Sequence, residues 1–179
     1  MPSDATGPAA RLAVALPPLD ERARRRARDL GWQLDLLDPR DPDERAVLIR
    51  LAHPDHDDAI DDGRETIEVD GRETNPRLHL TIHEVVATQI VDDDPPEAFV
   101  AAQRLLALGH DHHEVLHMLG FVVSGSIWSV MHDRREYDRA EHVRALDALP
   151  GSLHDAVPAR PNRAARRAQA RRDRRRGGR

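Results

Sequence analysis

No cysteine occurs in the 179 residues, which excludes a disulfide framework and any thiolate metal site, so a bound ion would rest on imidazole, carboxylate or water. Lysine is absent too, and every one of the 27 basic side chains is arginine. No stretch reads as long enough and apolar enough to span a bilayer. The amino terminus carries Asp4 and only the short apolar patch Leu12 to Leu16, and it lacks the charged start and apolar run of a secretory signal. These absences predict a cytoplasmic protein with no membrane partner. At this length there is room for one domain with a genuine core and little more.

The net charge of -5 conceals a division along the chain. Residues 160–179 hold ten arginines and one aspartate, a charge of +9, which leaves the rest of the chain at -14. An acidic body with an arginine tail either attracts nucleic acid weakly and without sequence preference or folds the tail back on itself. For the first reading, Arg163, Arg166, Arg167, Arg171 and Arg172 are the candidate phosphate contacts. No aromatic residue is interleaved there to stack a base, so specific recognition is not indicated and a solubilising or self-screened tail is the favoured reading.

The pattern predicts a mainly α protein, an antiparallel bundle of about four helices with an irregular N-terminal region and a small β-hairpin. Residues 1–19 mix Pro, Ala and Gly without periodicity and read as disordered. Residues 20–74 read as helical and irregular. Within them lie an arginine-rich helix over 20–30, a helix from Pro42 that stops before Pro54, and a short acidic helix through Ala59. A hairpin turns at Asp70-Gly71. Residues 75–150 form the bundle. Asn75-Pro76 is a cap followed by a ring preset for the first helical position, and Leu78, Ile82, Val85, Val86 and Ile90 then recur at helical spacing. Asp94-Pro95-Pro96-Glu97 and Asp111 to Glu114 read as capping boxes that open two more helices. The second of these has no charge between Glu114 and Asp133 and is apolar on nearly all sides, as for a helix at the centre of a bundle. Residues 137–149 make a fourth helix, and 151–179 read as a disordered arginine-rich tail.

Histidine supplies the functional signal. His79 and His83 stand one turn apart on the first bundle helix, at the flank of its apolar stripe. His113 and His117 repeat the spacing inside His113-Glu114-Val115-Leu116-His117. In zinc hydrolases this HExxH pattern puts two imidazoles on one ion and a glutamate beside the bound water. A single HxxxH pair means little in a chain with 11 histidines, but HExxH is scarce, and it lends weight to the first pair. The favoured reading is one divalent metal held between the two helices by His79, His83, His113 and His117. Zinc is preferred, with iron or manganese as alternatives, and Glu84 or Glu114 would offset the uncompensated charge. Should chemistry occur, Glu114 is the candidate water-activating base, acting on a small molecule or protein substrate that the sequence does not identify. His110 and His112 read as loop residues, His53 and His56 as surface residues, and Asp57, Asp58, Asp61 and Asp62 as solvated.

Competing readings use the same residues. Glu114 falls where a capping box wants glutamate, so it serves equally well as a helix cap. A metalloprotease needs a third ligand. Val123 occupies the position of the next histidine in the extended motif, and Glu136 lies where another protease class supplies a glutamate, but within what reads as an exposed turn. A carboxylate-bridged di-iron site fits less well, because His79 and His83 stand where glutamates are wanted.

Asn75-Pro76-x-Leu78-His79-x-x-x-His83, then Asp-Asp-Pro-Pro at 93–96, then His113-Glu114-x-x-His117, resemble a family of small bacterial helical proteins designated only as a domain of unknown function. The resemblance runs from about Asn75 to Pro150. It implies a shared helical domain and transfers no reaction, substrate or cofactor.

Overall fold

The computed structural model describes residues 6–69 and 71–151. Five of its helices open on a proline whose fixed φ suits the first helical turn. These are α1 (Pro8–Ala15), α3 (Pro42–Ala52), α4 (Pro54–Asp61), α5 (Pro76–Asp92) and α6 (Pro96–Ala107). The others are α2 (Glu21–Asp29), α7 (His112–His132) and α8 (Arg139–Asp147). Side chains of Asp20, Asp41, Asn75, Asp111 and Asp138 accept the first free N–H groups of their helices. Asp94 does not cap. Pro95 takes the N-cap position of α6, and Asp94 pairs with Arg139 of α8 instead. The chain is mainly helical, as the sequence predicts, with one antiparallel hairpin of β1 (Ile67–Val69) and β2 (Arg72–Thr74) in register Val69 to Arg72. Gly71 closes that hairpin at φ 72°, a conformation that costs glycine nothing. Residues up to Leu149 form one compact unit, and those from Pro150 a second, of which only Pro150 and Gly151 are described.

Composition predicts disorder through residue 19, yet α1 is ordered. Its Ala15 is buried, Arg11 pairs with Asp93 just beyond α5, and the same guanidinium lies 4.9 Å over the Phe99 ring. A cation held by a carboxylate and an aromatic face fixes a segment whose own propensity is modest. Residues 1–5 lie outside the described residues, as does Asp70.

The central helix is α5 rather than α7. Helices α1, α3, α4, α6 and α7 all pack on it, and its Leu80, Val86, Ala87 and Ile90 are buried. Helix α7 buries Val115, Leu116, Leu119, Val122 and Val123, but its second half leaves Phe121, Ile127, Trp128 and Met131 exposed. By length and composition alone α7 is apolar enough to cross a membrane, contrary to the sequence expectation. In this fold one side of it packs on α5, α6 and α8.

Two close fits set the framework of the site. A Cβ at Gly120 would stand 2.8 Å from Ile82 Cγ2, so the missing side chain lets α7 approach α5 three residues after His117. On the other flank Asp57 is not solvated. It is buried, and it accepts from Arg26 of α2 and Arg50 of α3, binding α4 to both.

Candidate metal centre

Four helices converge on one group of imidazoles. Helix α5 contributes His79 and His83, and α7 contributes His113 and His117, as the paired spacing predicts. The remaining two come from the corner between α3 and α4. Pro54 ends α3 and begins α4, and His53 occupies the joint with φ -126° and ψ 59°. That turn swings its ring inward, and His56 follows one helical turn later. One ring nitrogen from each of His53, His79, His83, His113 and His117 lies within 4.8 Å of all the others. Ring centroids of His53 and His83, and of His113 and His117, are 4.3 Å apart. His56 stacks on His79 at 3.9 Å with the planes 14° apart.

A hydrogen bond fixes the tautomer of His53. His53 Nδ1 lies 2.7 Å from the carbonyl of Ile49, and a carbonyl can only accept, so Nδ1 carries the proton and donates. The lone pair therefore resides on Nε2, which is buried with no hydrogen-bond partner. Fixing one nitrogen as a donor to a backbone carbonyl is how proteins aim the other at a metal. Nε2 atoms of His56, His79 and His83 are likewise buried without partners. Each such atom costs about 1–3 kcal/mol when nothing meets it, and His53, His79 and His83 all belong to the ligand group.

Burial sets the protonation. It holds His53 down to about 4, with smaller contributions from His113 and His56. It holds His79 at about 3, aided by His56 and His53, and His117 at about 4, aided by His113. His83, His56 and His113 are displaced downward for the same leading reason, opposed by Asp55 at His56 and by Asp111 at His113. At neutral pH the cluster is a set of uncharged bases, the form that binds metal.

The carboxylates picked out from the sequence are not gathered here. Glu114 receives a weak hydrogen bond from His110 Nδ1 at 3.3 Å on an exposed side of α7, and its own N–H is held by the Asp111 cap. Glu84 follows His83 but is turned about 100° around the helix. It stays outside the ligand group, and burial raises its pKa against the pull of Arg50. Glu136 is exposed in the stretch between α7 and α8. The HExxH sequence thus contributes its two histidines, and the further nitrogens come from α5 and His53 rather than from a downstream glutamate. His112 is engaged elsewhere, its Nε2 donating to the Ala13 carbonyl at 3.1 Å. Arg163, Arg166, Arg167, Arg171 and Arg172 lie outside the described residues.

His53 and His56 are the residues that sequence reasoning misses, since they sit beside acidic residues in a segment that reads as irregular. The available signal is His-Pro-x-His itself. A proline that must start a helix places the histidine before it at the cap and the next histidine on the same face.

The cluster adjoins open space on two sides. A pocket of about 420 Å³ has His79, His83 and His117 in its wall beside Leu78, Ile82 and Phe121. A smaller one of about 220 Å³ touches His113 together with Pro17, Pro18 and Asp111.

No curated protein and no solved structure matches the chain. The family model of a domain of unknown function, DUF1841, matches residues 36–148, a span that reaches well before Asn75 and includes all six clustered histidines. The chain therefore belongs to the DUF1841 family.

Proposed function

We propose that this protein is a metalloprotein that binds one divalent transition-metal ion through His53, His79, His83, His113 and His117. The observation that carries the reading is the convergence of five imidazole nitrogens, with the Nε2 atoms of His53, His79 and His83 buried and unpartnered. Two nitrogens opposite each other on an ion at ~2.1 Å lie ~4.2 Å apart. The observed limit of 4.8 Å exceeds that by about 0.6 Å, so the rings draw together as the ion binds. An all-imidazole set suits zinc, iron, nickel or copper and ill suits magnesium or calcium, which want oxygen. Five donors exceed the closed tetrahedron of a structural zinc site, and a pocket on the His117 side leaves room for a further ligand. Both features support a reactive or sensing centre over a purely structural one. The reading assigns no base role to Glu114.

Elemental mass spectrometry on protein purified without added metal, and again after reconstitution, tests the proposal. The expected result is about one ion per chain, lost in His53→Ala and His83→Ala. Wild-type protein that retains no metal after reconstitution would overturn it.

A further inference from the structure

We infer that the pocket of about 420 Å³ beside the histidine cluster takes a small monoanion with an apolar body, such as a short-chain carboxylate, whose anionic oxygen binds the metal. This rests on the metal reading above. Imidazole ligands are neutral, and among the described residues the ligand group contains no carboxylate, so a divalent ion held there keeps its full +2 charge and attracts an anionic ligand. The pocket wall includes His79, His83 and His117, which turns one side of the ion toward this space, whereas His53 and His113 are not part of that wall. Among the described residues no arginine lines the pocket, and the ion is then the cation these residues offer an anionic head.

Leu78, Ile82, Leu116 and Phe121 supply an apolar lining for the body of the ligand. Glu73 also borders the pocket, and a second negative charge on the ligand would meet it, which disfavours dianions and phosphate. The volume falls at the low end of small-molecule sites, in keeping with a ligand of a few carbons. Gly120 borders the same space, and its lack of a side chain leaves the floor between α5 and α7 low.

The test uses full-length protein loaded with cobalt(II), whose visible spectrum responds to a change in its coordination sphere. Cobalt content is measured first. Butyrate is then titrated, with succinate, phosphate and butanol in parallel and azide as a minimal anion. Ser124→Leu is the pocket variant. Ser124 borders the pocket, and among the described residues its hydroxyl bonds only the Gly120 carbonyl of its own helix, so this change narrows the space without touching a ligand. The expected result is a saturable shift with butyrate, none with butanol, and much weaker responses to succinate and phosphate. In Ser124→Leu, butyrate affinity falls at least about tenfold while cobalt content and the azide response persist. A protein that takes up no cobalt overturns the metal reading and this inference with it. Full cobalt with a spectrum that butyrate leaves unmoved, or equal butyrate affinity in Ser124→Leu, overturns this inference alone.

Discussion

Acid should unfold the metal-free protein at a pH where its carboxylates remain ionised. His53 is 4% exposed, and its pKa is held from 6.5 down to about 4. Below pH 6.5 the unfolded chain therefore binds a proton that the folded state refuses. The stabilisation is complete above 6.5 and is lost as pH falls toward 4. Stability drops by about 1.4 kcal/mol per pH unit for one such ring, or about 2 kcal/mol at pH 5 and about 3 kcal/mol near pH 4. His79, held at about 3, and His83, buried more deeply still, add losses of the same sign. Together these are comparable with the ~5–15 kcal/mol that holds a domain folded. Urea unfolding of chelator-treated protein, followed by circular dichroism near pH 7.5, 6 and 5, measures this. The midpoint should fall steeply across the series, and His53→Gln should flatten the slope. A metal-free midpoint that does not change over that range would refute the reasoning, because the rings would then not be buried as uncharged bases.

Metal should counter this loss, since an ion on the rings excludes protons. Reconstituted protein should retain its pH 7.5 midpoint to lower pH than the metal-free form, by the same urea assay. Gly120→Val should cost about 1–3 kcal/mol by forcing α5 and α7 apart at Ile82, read as a lower thermal midpoint together with weaker metal retention. Asp57→Ala should cost about 1–3 kcal/mol by removing the buried carboxylate that joins Arg26 and Arg50, which keep Asp58 and Asp61 as partners, and should loosen α4, so metal content falls although no ligand is touched. Glu114→Gln should leave metal content unchanged; a loss of metal in that variant would place Glu114 in the coordination sphere after all.

Most helices were legible because their ends are chemically marked. Proline at the first turn with Asp or Asn at the cap announces α3 and α5, the Asp111 cap announces α7, and apolar recurrence from Leu78 to Ile90 marks the buried face of α5. Four of the five ligand rings were legible for the same reason, since HxxxH on a helix fixes two rings on one face whatever surrounds it. Three things were hidden. The burial of His53 depends on the ψ of a single corner residue, which periodicity does not report. The order of α1 depends on Arg11 meeting Asp93 and Phe99, partners more than eighty residues away. The place of α5 rather than α7 at the centre was obscured because apolar residues cover more of α7 than the fold buries, so hydrophobicity overstated its depth. HExxH likewise suggested a role for its glutamate that the side chain's position beside His110 does not serve.

The Asp111 cap fixes more than the start of a helix. Since each residue advances a helix by about 100°, the residue at which α7 begins sets the angular phase of everything after it. Lengthening α7 by one residue between Asp111 and His113 would carry His113 and His117 out of the cluster while leaving the apolar content of the helix nearly unchanged. The five-nitrogen arrangement therefore depends on an angular registration between α5 and α7, maintained by Asn75 and Asp111 as the two starting marks and by Gly120 as the point of nearest approach. Loops in this protein can vary in length between helices, but the count of residues from cap to histidine cannot.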